Sequence, residues 1–259
     1  MDDAARFLQA YDEQLRTEAE IPGADSVVRL GPLRLASYPG GRGFITYRSL
    51  EGFSPAELVP AALAMYRASP DIDRVEWKTR GHDHAPGLHE ALVAAGFTPD
   101  EPESIMIGRV AALAVDVPLP SGVTLRQITA EDDVRAMCAM VAAAFEEPVW
   151  PGMAEALLHR LTKDDGMELW VAEAGGEIVC AGRLELVAGT EFAGIWGGAT
   201  LPAWRGRGIY RALTAVRARS ALRLGKTLVH SDSTEFSRPI LERAGLVTVS
   251  TTTPYLWTR

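Results

Sequence analysis

The sequence predicts an α/β protein with mixed sheets, arranged as two tandem halves. Segments with helical spacing of apolar residues alternate with short apolar runs that end at Gly or Pro. The length of 259 residues allows two domains of moderate size. A helix, a glycine and a strand recur in that order at residues 89–97 and 240–246. We therefore expect domains at residues 1–115 and 116–259.

Composition excludes several classes of function. The formal net charge of −8 and the pI near 5.2 argue against nucleic acid as a partner, because phosphate binding needs a basic face. An amine suits this acidic protein better. No apolar stretch approaches the roughly 18–20 residues that cross a bilayer, so we expect no membrane association. Cys138 and Cys180 are far apart within apolar stretches, which favours a reducing, cytoplasmic location without a disulfide.

In the first half, a helix is expected over about residues 1–20 because apolar residues recur with helical spacing. Ser54 followed by Pro55 is typical of a helix start. The expected elements are strands at 26–38 and 44–47, a helix at 54–68, a strand at 72–79, a helix at 86–95 and a strand at 104–109. Residues 110–122 contain two prolines and a glycine beyond residue 117 and are predicted to be a linker.

The second half begins with a strand at 123–128. Two helices, a hairpin with Gly175–Gly176 at its turn, and a further strand, helix, strand, helix and strand follow. The expected bounds are helices at 129–145 and through 157–161, strands at 169–174, 178–187 and 192–201, a helix from 209, a strand at 227–230, a helix at 237–244 and a strand at 247–257.

Three histidines, His82, His84 and His89, lie within eight residues and beside Asp83. Histidine and carboxylate side chains can ligate zinc, so a metal site is one interpretation. Nothing downstream completes such a ligand set, and a solvated loop is the simpler interpretation. We expect no metal.

The most informative stretch is Trp204–Arg211, which reads Trp-Arg-Gly-Arg-Gly-Ile-Tyr-Arg. It lies between an apolar strand and a helical pattern that ends near Gly225. The first N–H groups of a helix have no intrahelical partner and lie at the positive end of the helix dipole, so they bind phosphate. Glycines allow close approach of a ligand, and arginines add charged donors. This pattern predicts a phosphate-bearing ligand at residues 205–211, although an ordinary arginine-rich turn is the bland alternative.

The turn resembles the acyl-CoA signature of the GNAT superfamily of N-acyltransferases, Gln/Arg-x-x-Gly-x-Gly/Ala. Arg205 and Gly208 match its first and fourth positions, whereas Tyr210 stands where Gly or Ala is usual. The order of predicted elements over residues 123–259 is also that of this fold. The resemblance therefore covers about half of the chain. The first half resembles a degenerate copy without the signature, or else it is an unrelated α/β domain with a similar helix end.

The resemblance implies that residues 116–259 form a catalytic N-acetyltransferase domain that uses acetyl-CoA as co-substrate. In this family the strand before the turn diverges from the next strand and holds the thioester carbonyl, while the pyrophosphate rests on the helix start. Carbonyl and pantetheine contacts then map to Gly198, Ala199, Thr200 and Leu201. Phosphate contacts map to Arg205, Gly206, Arg207, Gly208, Ile209, Tyr210 and Arg211.

The catalytic residues depart from the family pattern. Ala193-Gly194-Ile195 occupies the strand where some members have a glutamate base, and Leu241 replaces the usual tyrosine acid. As a substitute base we consider His230, with Asp232 on the same strand face to orient it. Further candidates are Glu185 and Glu191 as bases acting through water, Tyr210 and Tyr255 as acids, and Trp196 as an acceptor-pocket or core residue.

The expected function is transfer of an acetyl group from acetyl-CoA to an amine of a small molecule or peptide. A non-catalytic module that binds or senses acyl-CoA is the main alternative, because the usual acid and base are missing. A phosphate-ligand enzyme of another family, such as a nucleotide transferase, is a third interpretation. The identity of the acceptor and the oligomeric state, including a homodimer, stay open.

Overall fold

The computed structural model describes residues 2–146 and 152–259 and contains eight α-helices and thirteen strands there. The helices are α1 (Asp3–Gln14), α2 (Pro55–Arg67), α3 (Leu88–Ala94), α4 (Val110–Leu113), α5 (Glu131–Phe145), α6 (Met153–Leu161), α7 (Ile209–Arg223) and α8 (Arg238–Arg243). Short 3-10 helices cover Glu18–Glu20 and Pro202–Trp204. None of the helices in the described residues is long and apolar enough to cross a membrane.

The strands are β1 (Ser26–Leu30), β2 (Leu33–Tyr38), β3 (Arg42–Tyr47), β4 (Arg74–Lys78), β5 (Thr98–Pro99), β6 (Glu103–Arg109), β7 (Val123–Ile128), β8 (Met167–Ala174), β9 (Glu177–Leu186), β10 (Phe192–Thr200), β11 (Leu228–Ser233), β12 (Val247–Thr252) and β13 (Pro254–Thr258). They form a six-stranded sheet of order β1-β2-β3-β4-β13-β5 and a seven-stranded sheet of order β12-β6-β11-β10-β9-β8-β7. Both sheets are mixed, because β4 is parallel to β3 and β11 is parallel to β10 while other pairs are antiparallel.

The chain forms two compact units, and these are not two continuous halves of the sequence. Unit 1 contains residues 1–105, 232–238 and 248–259, and unit 2 contains residues 106–231 and 239–247. The predicted division at residue 115 differs from this because strands near the end of each half join the sheet that begins in the other. The C-terminal strand β13 lies between β4 and β5, and β6 lies between β12 and β11.

Unit 1 has a core in which helices α2 and α3 pack on the six-stranded sheet. Trp77, at the centre, is fully buried and makes an edge contact with Phe97 at a ring distance of 6.4 Å. Trp257 and Tyr255 of β13 belong to the same core. Antiparallel pairing of β13 with β4 places Trp257 opposite Val75 and Tyr255 opposite Trp77. The last strand of the sequence is therefore a core strand of unit 1.

Unit 2 has apolar clusters on both faces of its sheet. On one face, α5 packs against β9, β10 and α6. An apolar cluster that includes Met137, Val141 and Leu157 joins both helices to the sheet. On the other face, α7 packs against β8, β9 and β10. Small residues of α7 allow this close approach, since Ala215, Ala218 and Ala221 are all buried.

Most predicted elements are confirmed, with three corrections. The strand expected at 26–38 is two strands, because Gly31 adopts a φ of +55° in the turn that separates them. The linker expected at 110–122 begins with the short helix α4, whose Val110 and Leu113 are buried. The strand expected at 247–257 is two strands in different sheets. Pro254 has no N–H to donate and begins the second of them.

We predict that Trp257→Ala destabilises unit 1, although Trp257 is near the C-terminus. Truncation of a buried aromatic side chain leaves a cavity and costs about 3–5 kcal/mol. Hydrogen exchange should accelerate in β3 and β4 before it accelerates in β8 and β9. Leu256→Ala, an exposed neighbour on the same strand, is the matched control. Earlier loss of protection in β8 and β9 would contradict this assignment of β13.

Candidate functional site

The turn between β10 and α7 has the backbone geometry of an open anion-binding loop. Gly206 and Gly208 have φ values of +73° and +78°, which side-chain-bearing residues rarely adopt. A Cβ placed on either glycine would meet no atom within 4 Å. Gly208 is the N-cap of the 15-residue helix α7 and has no side chain to occupy the free N–H groups. The start of α7 is therefore accessible to an anion.

The arginines of this turn have different environments. The Arg205 guanidinium donates to the carbonyl oxygens of Thr200 at 3.1 Å and Ala144 at 2.6 Å. Its side chain thus fixes the turn to α5 and is engaged with backbone, contrary to the expectation of a free phosphate donor. Arg207 stacks over the Trp204 ring at 4.8 Å, and Arg211 is exposed with no ion pair in the described part of the chain. These two arginines are the available cations.

β10 diverges from β11 partway along its length. The two strands pair in parallel from Phe192–Leu228 to Gly194–His230. β10 then continues to Thr200 without a further paired residue in β11. Backbone groups on that edge of β10 beyond Gly194 are consequently available to a ligand, as the resemblance implies for a thioester site.

A bulge interrupts β10 at Gly197 and Gly198. Its antiparallel register with β9 shifts between Trp196, which lies opposite Arg183, and Ala199, which lies opposite Ala181. Gly197 has a φ of +59°, and both glycines are exposed. Among the residues predicted to hold the carbonyl, Gly198 lies in the bulge, whereas Ala199, Thr200 and Leu201 return to β9. Ala199 and Thr200 pair with it, and the Leu201 amide donates to Val179 at 3.0 Å.

A buried arginine supports this bulge from the α7 side. Arg217 is only 1% exposed and donates to the carbonyl of Arg183 at 2.9 Å and to the Thr214 hydroxyl at 3.1 Å. A longer contact of 3.5 Å reaches the Trp196 carbonyl. Burial lowers the pKa of Arg217, while the nearby Tyr210 hydroxyl acts in the opposite direction. No carboxylate pairs with Arg217 in the described residues, so its buried charge is stabilised by the dipoles of backbone carbonyl groups.

Residue 182 must be glycine because the Arg217 guanidinium packs directly against its backbone. A Cβ at Gly182 would lie 2.6 Å from Arg217 Nη1, which is closer than real contacts allow. Arg217 therefore lies between α7 and the sheet, although arginine is usually found on the exposed face of a helix.

Tyr210, the departure from the signature, packs directly on the bulge. A Cβ at Gly198 would lie 2.4 Å from Tyr210 Cε2 and 3.0 Å from its hydroxyl oxygen. The ring therefore packs against Gly198. Its hydroxyl is the tyrosine hydroxyl next to both the bulge and Arg217.

His230 lies where β10 and β11 diverge. It is 8% exposed, and its ring makes edge contacts with Phe192 at 5.7 Å and Trp196 at 5.0 Å. The Trp196 indole is half-buried and folds over Gly194, where an added Cβ would lie 2.2 Å from Nε1. Trp196 and His230, predicted separately as pocket residue and base, are thus brought together at the divergence.

Glu191 is at the opposite end of β10 from the bulge. Its carboxylate accepts from the Thr227 hydroxyl at 3.0 Å, and its carbonyl accepts from the amides of Thr227 and Leu228. Six residues of β10 lie between Glu191 and Gly198, which corresponds to roughly 20 Å along the strand. This position links β10 to β11 and does not bring the carboxylate to the bulge.

Asp232 and Tyr255 belong to unit 1, whereas the signature turn belongs to unit 2. Asp232 forms a buried ion pair with Lys78. Burial acts to lower the pKa of Lys78, but Asp232, Tyr11 and Glu76 together raise it above its ordinary value. The Tyr255 hydroxyl bonds His89 Nδ1 at 2.8 Å. Their predicted catalytic roles stay predictions, and both side chains have structural partners within unit 1.

A charged network lies on the face of β9 opposite to α7. Glu185 accepts from Arg160 Nη1 at 2.6 Å and from Arg183 Nε at 3.2 Å, and Arg160 also donates to Asp165 at 2.9 Å. Burial raises the pKa of Glu185, but Arg183 and Arg160 outweigh it and hold this pKa below its ordinary value. Glu185 is therefore ionised and engaged, which argues against the water-mediated base considered from the sequence.

The three histidines of the first half do not form a metal site among the described residues. His82 contacts Asp12 and Ser250, while His89 contacts Tyr255. His82 also lines a cavity of about 950 Å³ in unit 1 together with Arg16, Arg48 and Asp83. Arg16 donates to both carboxylate oxygens of Asp83, so this histidine-rich loop is tied to the unit by ion pairs.

We predict that Gly182→Ala lowers stability by about 1–3 kcal/mol, because the methyl group displaces Arg217 from its carbonyl partners. Chemical denaturation would measure this change. Arg217→Met removes the obstructing nitrogen but leaves the carbonyls without a donor. If the clash is the cause, the double variant loses less stability than the sum of the two single variants. Strict additivity would contradict it.

Comparison with known proteins agrees with this geometry. Residues 120–230 match the family model described as an acetyltransferase (GNAT) domain. A comparison with curated protein sequences finds no match. Solved structures share the fold over nearly the whole chain. A GCN5-related N-acetyltransferase from Kribbella flavida has 21% identity and a TM-score of 0.66, with coverage of 98% of this chain and 95% of its own.

Two more solved structures share the fold, and one of them is a tandem GNAT protein. A functionally unknown conserved protein from Staphylococcus epidermidis has 12% identity, a TM-score of 0.67 and coverage of 94% and 98% of the two chains. A tandem GNAT protein from the clavulanic acid biosynthesis pathway has 14% identity, a TM-score of 0.61 and coverage of 99% and 96%. At these identities the similarity shows the fold. The family match identifies residues 120–230 as an acetyltransferase domain of the GNAT superfamily. The structural similarity shows that the chain has the fold of two GNAT-like halves.

Proposed function

We propose that this acetyltransferase moves the acetyl group of acetyl-CoA to an amine, at a site formed by β10, its bulge and the start of α7. One observation carries the proposal. Within residues 194–209, the divergence of β10 from β11 is followed by the β10 bulge and then by the open start of α7. A thioester needs backbone donors for its carbonyl, and a pyrophosphate needs a helix start. These features follow one another along β10 and the turn that leads into α7, and they suit one extended donor molecule.

The pyrophosphate of the donor would rest on the free N–H groups at Ile209, Tyr210 and Arg211. Arg207 and Arg211 would add charged donors, while Arg205 holds the turn in shape through backbone carbonyls. The pantetheine arm would follow the edge of β10 from Thr200 towards Gly198. The positive φ values at Gly206 and Gly208 support this assignment, because a side chain there would strain the turn.

The chemistry would be direct attack of the amine nitrogen on the thioester carbonyl carbon. The negative charge that develops on the carbonyl oxygen would be stabilised by backbone N–H groups at the Gly197–Gly198 bulge. His230 is our candidate for accepting the proton of the amine, directly or through one water, because its imidazole lies at the divergence of β10 and β11. As the carbon–sulfur bond breaks, its electron pair goes to the thiolate.

Proton donation to the departing thiolate is assigned to Tyr210 in this proposal. Its hydroxyl lies against Gly198 and next to the Arg217 guanidinium, which places a proton donor beside the bulge. The phenolate would be reprotonated from solvent. Tyr255 is the weaker candidate, since its hydroxyl bonds His89 inside the core of unit 1.

We predict that Gly208→Val abolishes micromolar binding of acetyl-CoA. The Cβ branch would strain a residue with a φ of +78° and cover the helix start. Gly225→Val is the matched control, because Gly225 follows the other end of α7, has a φ of +79° and likewise has no atom within 4 Å of an added Cβ. Both variants should lose similar stability, and only the first should lose binding in calorimetric titration.

Equal loss of binding in both variants would mean that stability, not the turn, limits affinity. Absence of binding of acetyl-CoA and longer acyl-CoA thioesters to the unaltered protein would overturn the proposed function. Preference for ATP over these thioesters would instead favour a phosphate-ligand enzyme of another chemistry.

A further inference from the structure

The side chain of Arg183 lies over the bulge. A Cβ placed on Gly197 would be 3.6 Å from Arg183 Nη1 and 3.8 Å from its Cζ. The side chain is 24% exposed, so it is neither buried in the core nor free in solvent. The guanidinium thus borders the position at which the proposed function puts the thioester carbonyl.

Arg183 is held so that one edge of its guanidinium is left unused. Glu185 accepts from Nε at 3.2 Å, and Glu185 is itself anchored by Arg160 through its other oxygen at 2.6 Å. In the described part of the chain, no hydrogen bond or ion pair engages the two terminal nitrogens of Arg183. The backbone of residue 183 is fixed as well, since its carbonyl accepts from Arg217. A paired Nη1–Nη2 edge is the arrangement that binds a carboxylate through two parallel hydrogen bonds.

The free edge of the Arg183 guanidinium and the proposed phosphate site lie on opposite faces of the sheet. Side chains alternate across a strand, and the position of a Cβ at Gly182 faces Arg217 of α7. The side chain of the next residue, Arg183, therefore faces the α5–α6 side, where Arg160 of α6 contacts Glu185. The start of α7, which the proposed function gives to the pyrophosphate, lies on the other side. Arg183 is accordingly positioned for the second substrate.

We propose that the acceptor is an amine with a carboxylate close to it, of the α-amino acid class, and that Arg183 binds that carboxylate. This rests on the proposed function. The attacking nitrogen must come within about 3–3.5 Å of the thioester carbon at the bulge. In an α-amino acid the amine and carboxylate share one carbon atom, so a carboxylate on the Arg183 edge places the amine at the bulge. The net charge of the paired network around Arg183 is small, so an incoming zwitterion is not repelled.

The reaction balances without a further reactant. The amine nitrogen forms a bond to the acetyl carbon, the carbon–sulfur bond breaks, and the amine proton leaves to the base. The carboxylate is unchanged and serves only in binding. The products are an N-acetylated amino acid and CoA with a free thiol.

The test compares matched pairs of acceptors, each an α-amino acid and its carboxamide, with acetyl-CoA as donor and free CoA as the readout. We expect kcat/KM to favour the carboxylate member by about 10- to 100-fold, the range for loss of hydrogen bonds to a charged group. Arg183→Gln should remove this preference by lowering activity on the carboxylate alone. Arg183→Lys, which keeps the charge but not the two-pronged edge, should retain part of it.

Three controls make the result decisive. Arg135→Gln removes an exposed arginine from α5 and should preserve the preference. Calorimetry should find unchanged acetyl-CoA affinity in Arg183→Gln, and a fall would mean that Arg183 contacts the donor, which overturns the proposal. Equal or better use of the carboxamides, or no turnover of any amino acid by protein that binds acetyl-CoA, would also overturn it. Failure to bind acetyl-CoA would instead contradict the proposed function.

Discussion

The site depends on one buried interaction, the contact of the Arg217 guanidinium with strand carbonyls at the β9–β10 bulge. A cation without a carboxylate partner among the described residues loses hydration on burial, and the pKa of Arg217 falls for that reason. The carbonyl dipole of Arg183 replaces part of the lost hydration at 2.9 Å. The interaction requires glycine at position 182, because a Cβ there would clash with the guanidinium. The packing of α7 on β9 and β10 therefore depends on this one small residue.

This interaction also connects the two faces of the sheet. Residue 183 is bound by Arg217 through its carbonyl on the α7 face and by Glu185 through its guanidinium on the α5–α6 face. Because neighbouring side chains on a strand point to opposite faces, a residue fixed from both sides cannot rotate without breaking bonds on each. That arrangement orders the part of β9 that faces the Gly197–Gly198 bulge. The proposed reaction, which positions a donor and an acceptor across one strand, requires such order, since small displacements of reacting atoms are costly.

Sequence reasoning succeeded where structure is determined locally. Ser54 is the N-cap of α2, and Gly208 and Gly225 flank α7, because caps and positive-φ glycines act over a few residues. It failed where partners are remote. No local signal shows that β13 pairs with β4, which lies about 180 residues earlier, or that β6 joins the sheet of unit 2. Consequently Tyr255 was considered for a site in the second half although it packs in unit 1.

The arginines illustrate the same limit in the functional site. The four arginines of residues 205–217 look alike in the sequence. In the structure, the guanidinium groups of Arg205 and Arg217 donate hydrogen bonds to backbone carbonyls. Arg183 gave no signal at all, since a single arginine in an alternating strand usually faces solvent. The Gly197–Gly198 pair was the available clue, because adjacent glycines within a strand often mark a bulge or close approach of a ligand. The residue opposite such a bulge is then a natural candidate for substrate contact, and here that residue is Arg183.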